Sequence, residues 1–227
     1  MLICTHTLAV LTEGWAAITQ SADTWDAFFA SQAYPRVIPR GETESVPASR
    51  VIYSQLTGDD AVTLDVGIVF GRAKIPGIYI SAGDERVINE AVGQNMDPSL
   101  PAWAEEQGSV TIDCIGKTRV QCEAIHIAVK GLMYRAKPKL VGTIASGGYN
   151  YIDARFAASS GPRGFGDVTK EGFGGFMATV RWTFERHDEY PPILSPAQAP
   201  AYLSIHAFDA VDQWGNHGRV RPSDPEE

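Results

Sequence analysis

Long apolar runs are missing from this sequence. No stretch reaches the roughly eighteen apolar residues that a membrane-spanning helix requires. The first ten residues also lack the basic start and the small-residue cleavage site of a secretory signal. We therefore expect the protein to be made and kept in the cytoplasm. Hydrophobic residues make up 44% of the chain, which is enough to bury a sizeable core.

Basic residues are scarce relative to acidic ones. The chain has 19 Lys and Arg and 27 Asp and Glu, which gives a formal net charge of -8. Nucleic-acid affinity comes mostly from clustered Lys and Arg, so phosphate-backbone binding is not the expected task. An acidic surface instead suits a protein that nucleic acid must slide past without adhering.

Cysteine is sparse and odd in number. Cys4, Cys114 and Cys122 form no CxxC pair, which is typical of reduced and buried thiols. A second interpretation is that Cys114 or Cys122 cross-links subunits once a particle has left the reducing cell.

Signature motifs of catalysis and cofactor binding are also missing. The sequence has no Walker A motif, no dinucleotide fingerprint and no G-x-S-x-G elbow. The stretch 161–166 has its glycines in the wrong register, and Pro162 removes a backbone donor. The closest set of possible metal ligands has no known coordination spacing, so we predict no metal and no cofactor. That set is His206, Asp209, Asp212 and His217.

One nucleophile pair is left as the basis of an enzyme hypothesis. Cys122 and His126 are one helical turn apart, so a thiol–imidazole contact is geometrically possible. Two side chains on a packed helix face need no catalytic reason, however, and the pair is better explained as structure. The triplet 187–189 (His-Asp-Glu) is interpreted as a solvated strand end.

Helical periodicity appears in two places. Apolar residues recur at 3-4 spacing near the N-terminus, and Ser21 is a candidate cap for a second short helix. These residues are Leu8, Leu11, Trp15, Ile18, Ala22, Trp25 and Phe29. A second helix is predicted from the capping box of Thr118 and Gln121, with an end before Pro138. Its apolar face is Ile125, Ala128, Val129, Leu132 and Met133, with Arg119, Glu123, His126 and Lys130 off that face.

Alternating apolar residues predict the strands, which are expected over 62–70, 75–80, 110–114, 149–156 and 176–184. Pro76 is expected at an edge strand or as the first strand residue. Loops are predicted over 34–49, 94–107 and 161–175, and an extended linker over 191–200. One small element is expected within 201–211, and disorder over 219–227.

The order of these elements resembles the tail terminator and neck proteins of long-tailed bacteriophages. The resemblance rests on a leading helix, the strand Pro76-Gly77-Ile78-Tyr79-Ile80 with a following Gly83-Asp84-Glu85 turn, a strand–helix unit from Val110, and the final strand 176–184. It covers a little over half of the chain. The arm 34–49, the excursion 138–175 and the extension after Glu185 depart from the compact family pattern.

The resemblance implies an α+β fold, with two main helices packed on one face of a mixed or antiparallel sheet. It implies a domain over 1–186, with loop arms at 34–49 and 157–175, and a proline-rich extension over 187–227. The implied function is a structural virion protein that forms a homohexameric ring. Such a ring caps the tail tube, joins it to the head connector, contacts neighbouring rings or the sheath, and lets DNA pass. Six copies carry about -48 charges, which suits a DNA channel.

Candidate contact residues lie in the predicted loop and tail. Six of them have aromatic rings that are hard to place in one small core: Tyr149, Phe165, Phe173, Tyr190, Tyr202 and Trp214. The seventh is Arg163. The alternative is that they pack locally on their own subunit. Other functions are another tail or baseplate ring, a small-molecule enzyme, or an adaptor domain without a virion role.

Overall fold

The computed structural model describes residues 2–32, 34, 36–39, 41, 43–58, 61–67, 74–90, 102–149, 151–166, 174–190, 209–211 and 217–219. The chain divides into two compact units. The first contains residues 1–87 and 106–187, and the second contains residues 88–105 and 188–227.

The N-terminal apolar stripe forms two helices, α1 (Leu2–Ile18) and α2 (Ala22–Phe29). Ser21 caps α2 as predicted: its hydroxyl accepts a hydrogen bond from the Thr24 amide at 3.1 Å. Most of the predicted stripe is buried, and the exceptions, Leu8 and Ala22, are partly exposed. Gly14 is tolerated inside α1 because a Cβ there would lie only 2.9 Å from Leu132 Cδ2. Close helix packing therefore outweighs the low helix propensity of glycine.

The predicted loop over 34–49 is only partly correct. Two short strands, β1 (Arg36–Val37) and β2 (Val46–Pro47), pair antiparallel within it, and helix α3 (Ala48–Thr57) follows at once. This helix was not predicted. Ile52 and Leu56, one turn apart, bury their side chains in the core and anchor it.

The main sheet has five strands in the order β3-β4-β5-β7-β6. They are β3 (Thr63–Val66), β4 (Gly77–Glu90), β5 (Ala102–Gly116), β6 (Tyr151–Gly166) and β7 (Gly174–Tyr190). β3 runs parallel to β4, whereas β6 and β7 are antiparallel, so the sheet is mixed. The predicted α+β fold class is confirmed.

Strands β4 to β7 are longer than predicted, and β6 includes residues 157–160, which were implied as the start of the loop arm 157–175. Among the described residues, β3 covers 63–66 of the predicted 62–70, and Val66, placed on its buried face, is 40% exposed. Pro76 directly precedes β4, whose first four residues pair with β3 and so do not form an edge. Residues 83–85 continue β4 and do not form the turn that the resemblance implied. Residues 102–107 belong to β5, and residues 161–166 and 174–175 belong to β6 and β7, although all were predicted as loop. Ile68, Phe70 and the stretches 94–101 and 167–173 lie outside the described residues.

Helix α4 (Arg119–Val141) begins where predicted, with the Thr118 hydroxyl accepting from the Gln121 amide at 3.2 Å. The Gln121 side chain accepts from the Lys117 amide, one residue earlier than in a standard capping box. The predicted apolar face is buried. The predicted end before Pro138 is wrong, because the helix continues until Val141 and buries Leu140 completely.

The core lies between the helices and one face of the sheet. Ala178, Val180, Trp182 and Phe184 of β7 are buried, and Phe176 is partly buried, as the alternation predicted. The Tyr134 ring of α4 meets the Trp182 ring edge-on, with 5.1 Å between centroids. No helix in the described part of the chain is long and apolar enough to cross a bilayer.

The second unit contains one further pair of described strands. β8 (Asp209–Val211) and β9 (His217–Arg219) are antiparallel. The small element expected within 201–211 thus corresponds to β8. Arg219, the first residue of the predicted disordered tail, belongs to β9, while the predicted linker 191–200 and the rest of the tail, 220–227, lie outside the described residues.

Candidate functional site

Four of the seven predicted contact residues are described, and they lie in the loop before β6, on β6 and at the end of β7. Tyr149 is partly buried and stacks on the His6 ring, with 4.1 Å between centroids. The Phe165 ring lies against Gly175, its cross-strand neighbour. Both aromatic rings therefore have packing partners in their own chain.

The other predicted contact residues differ in exposure. Arg163 is exposed on β6, opposite Met177 of β7. Tyr190, at the end of β7, is 49% exposed and is the predicted contact residue best placed to meet a partner. Phe173, Tyr202 and Trp214 lie outside the described residues.

The Cys122–His126 pair is unsuited to nucleophilic catalysis. The Cys122 thiol is buried and donates a hydrogen bond to the Cys114 carbonyl at 3.2 Å. Burial raises the pKa of Cys122 to about 12, and burial and Lys130 lower the pKa of His126. A thiolate–imidazolium pair needs the opposite shifts, so both groups are neutral near pH 7.

The helix prediction is wrong in one detail, the position of His126. It was placed off the apolar face of α4, but it is only 9% exposed. Its Nε2 atom has no hydrogen-bond partner in the described structure. The cysteines are free and buried, as the reduced-thiol interpretation predicted. A cross-link through Cys114 or Cys122 would require the core to open.

A small polar cavity, which the sequence did not reveal, lies between the start of α1 and the sheet. It encloses about 110 Å³, and its lining includes Ile3, Glu85, Glu106, Tyr151 and Arg186. Cavities that hold metabolites usually measure roughly 300–1,000 Å³, so this one fits a few water molecules or a single side-chain end.

His6 of α1 lies beside the lining residue Tyr151. The His6 Nδ1 atom and the Tyr151 hydroxyl share a hydrogen bond of 3.1 Å. Burial, with a contribution from Arg186, lowers the pKa of His6. The residues come from five separate segments of the chain, which leaves no local motif for sequence analysis to detect.

The sheet face opposite the helices carries a connected set of polar side chains. Arg86 of β4 donates to the Gln107 side-chain oxygen at 2.6 Å, and the Gln107 amide donates to Glu185 of β7 at 3.3 Å. Further along, the Thr179 hydroxyl donates to Asp113 at 2.8 Å. Burial raises the pKa of Asp113, and this hydrogen bond opposes the shift. These cross-strand bonds satisfy one another, as expected of a structural surface and not of a catalytic one.

Strand β4 has an open edge. β3 pairs only with Gly77 to Ile80 of β4, and in the described structure no strand continues that pairing from Ser81 onward. Val87 and Ile88, on this open part, are 53% and 47% exposed. Unpaired strand edges with exposed apolar side chains are sites where another chain can add.

A groove of about 280 Å³ separates α1 from α4 on the outer side of the helix layer. Its floor is apolar, and the charged residues Glu13, Arg135 and Lys139 surround it. No group of three or more His, Cys, Asp or Glu side chains with the geometry of a metal site occurs among the described residues.

A comparison of the sequence with models of known protein families finds no match, and a comparison with curated proteins finds no similar chain. The case for a function therefore rests on the surfaces described above.

Proposed function

We propose that the protein is a structural component of a long-tailed bacteriophage particle, where copies of it assemble into a ring of the neck or tail. In this proposal the ring caps the tail tube and faces the head connector, and its acidic surface lets DNA pass. The resemblance in element order supports the phage assignment, and the α+β fold with helices on one sheet face agrees with it.

The observation that carries the assembly part of the proposal is the open edge of β4. A strand that exposes both its backbone edge and apolar side chains is prone to pair with another chain. Natural monomers usually cover or shorten such edges. The open part of β4, from Ser81 onward, is longer than its paired part, so this edge is well suited to an inter-subunit contact.

The enzyme alternative has weaker support. Its nucleophile pair is held neutral, and the polar cavity near His6 is too small for a typical substrate. Another tail or baseplate ring remains the nearest alternative, since the same surfaces serve either position.

Mass photometry and negative-stain electron microscopy of the purified protein test this function. We expect a defined ring, formed alone or on added tail tubes. Val87→Lys should weaken the ring by placing a charge in the contact, whereas Ile38→Lys, at a 64% exposed residue outside the main sheet, should not. A strict monomer that also fails to bind tail tubes would overturn the proposal.

A further inference from the structure

The groove between α1 and α4 is shaped to receive one side chain. Val10, Ile18 and Leu132 form a floor that is about nine-tenths buried or more, and small residues leave space above it. The small residues are Gly14, Ala17 and Ala136. A volume of about 280 Å³ is at the lower limit for a metabolite pocket and is large enough for an aromatic ring.

The rim of the groove is locally basic on an acidic protein. Arg135 and Lys139 outnumber Glu13, so the groove carries one excess positive charge although the chain carries -8. Lys139 forms an ion pair with Glu13, and the Arg135 guanidinium lies over the Phe28 ring at 4.6 Å from its centroid. These contacts hold the rim side chains in place beside an open apolar floor.

The end of β7 has the complementary chemistry. Tyr190 is 49% exposed and follows two acidic residues, Asp188 and Glu189. Since copies with the same net charge repel one another, they are expected to meet where local charges are opposite. An acidic segment that ends in an exposed aromatic residue matches an apolar groove with a basic rim.

We propose that the α1–α4 groove binds the end of β7 from a second copy of this chain, with the Tyr190 ring on the apolar floor and Glu189 near Arg135. This inference rests on the proposed self-assembly and adds a second contact to the one proposed at the β4 edge. A patch that meets a different patch on the next copy is a heterologous interface, which closes into a ring or continues as a filament.

Cysteine cross-linking between two single variants tests the contact. Ala17→Cys places a thiol at the groove, and Tyr190→Cys places one at the end of β7, while the native cysteines are buried. We expect a disulfide-linked dimer when the two variants are mixed and oxidised, and much less dimer from either variant alone. A mixture of Ile38→Cys with Tyr190→Cys is the matched control.

Substitutions give an independent measure. Tyr190→Ala and the groove-filling Ala17→Trp should each raise the concentration needed for half-assembly about tenfold or more, as for a residue central to an interface. Arg135→Glu should weaken assembly, and Glu189→Arg in the same chain should restore it in part. Ile38→Ala should leave assembly unchanged.

The outcomes separate this inference from the proposed function. If rings form but the mixed variants do not cross-link and Tyr190→Ala assembles normally, the groove contact is wrong and the ring proposal stands. If the wild type forms no multimer alone and does not bind added tail tubes, the proposed function fails. A mixed cross-link at high concentration would then still support the groove as a self-contact, and its absence would overturn that as well.

Discussion

The junction between β5 and α4 offers a sharp test of the fold. Gly116 ends β5, and a Cβ added there would lie 2.5 Å from the Cys122 amide nitrogen and 2.9 Å from its Cα. Both atoms belong to the backbone, so no side-chain rotation can relieve the contact. Ordinary packing begins near 3.4 Å, so Gly116→Ala requires the first turn of α4 to move by about 0.9 Å.

The expected destabilisation follows from two contributions. Forcing one extra carbon into a packed site typically costs about 1–3 kcal/mol. The movement would also weaken the 3.2 Å hydrogen bond from Cys122 to the Cys114 carbonyl, which adds about 1 kcal/mol at most. Moving β5 the other way gives no relief, because the Gly116 carbonyl already lies close to Gly175. We expect a total of about 1–4 kcal/mol.

Equilibrium urea unfolding measures this loss as a lower midpoint at an unchanged slope. Gly161→Ala is the matched control, because a Cβ at that exposed position has no neighbour within 4 Å. It should change the free energy of unfolding by less than about 1 kcal/mol, with stabilisation expected from the stiffer unfolded chain. If Gly116→Ala unfolds at the same urea concentration as the wild type, the close approach of β5 and α4 is wrong.

Three further predictions concern α4. Pro138→Ala should stabilise the protein by roughly 1–3 kcal/mol in urea unfolding, because it restores a helical amide inside α4, and an unstable variant would contradict the continuous helix. Iodoacetamide at neutral pH should label Cys122 only after denaturation, as mass spectrometry can show. Because burial keeps the Cys122 thiol neutral in the folded protein, its contribution to the free energy of unfolding is complete below pH 9.0, the ordinary pKa of the thiol. That contribution is lost as the pH rises from 9.0 towards the folded pKa of about 12. His126→Leu should leave the melting temperature unchanged or raise it, since the buried Nε2 atom has no partner to lose in the described structure; a large decrease would reveal a bond to this nitrogen.

The strands and helices that pack against each other could be predicted from sequence. β7 and α4 each bury one side against the other. Their apolar residues therefore recur with the period of a strand in β7 and with the period of a helix in α4. Ser21 and Thr118 cap the helices that follow them because a hydroxyl one residue before a helix satisfies a free amide. Local rules were sufficient wherever a helix covers a strand.

The uncovered part of the sheet could not be predicted in this way. Residues 82–88 of β4 are mostly exposed and residues 102–107 of β5 are only partly buried, so neither stretch shows the alternation that marks a half-buried strand. The same two-sided exposure made 161–166 of β6 resemble a loop. α3 was missed for a related reason, since it has few buried apolar side chains and follows a proline-rich stretch.

The candidate groove and cavity could not be predicted from sequence either. The groove joins residues of α1 to residues of α4, and the cavity near His6 joins α1 to four strands, so both depend on long-range packing. A sequence pattern predicts which residues are buried within one element, but not which elements meet. Tyr190 was selected from sequence as one of several aromatic residues that are hard to place in one small core, and its role as a contact stays a prediction.

The uncovered strands also bear on assembly. Among the described strands, none pairs with the outer edge of β4 beyond Ile80. Polar cross-strand bonds such as those of Arg86, Gln107 and Glu185 join β4, β5 and β7. Bonds of this kind contribute only about 1 kcal/mol each, so a long extension of the sheet gains little stability from them alone. An added strand or a docked neighbour would stabilise it by burying Val87 and Ile88 and by pairing the open edge. If the protein assembles as proposed, this extension of the sheet reaches its full stability only in the assembly.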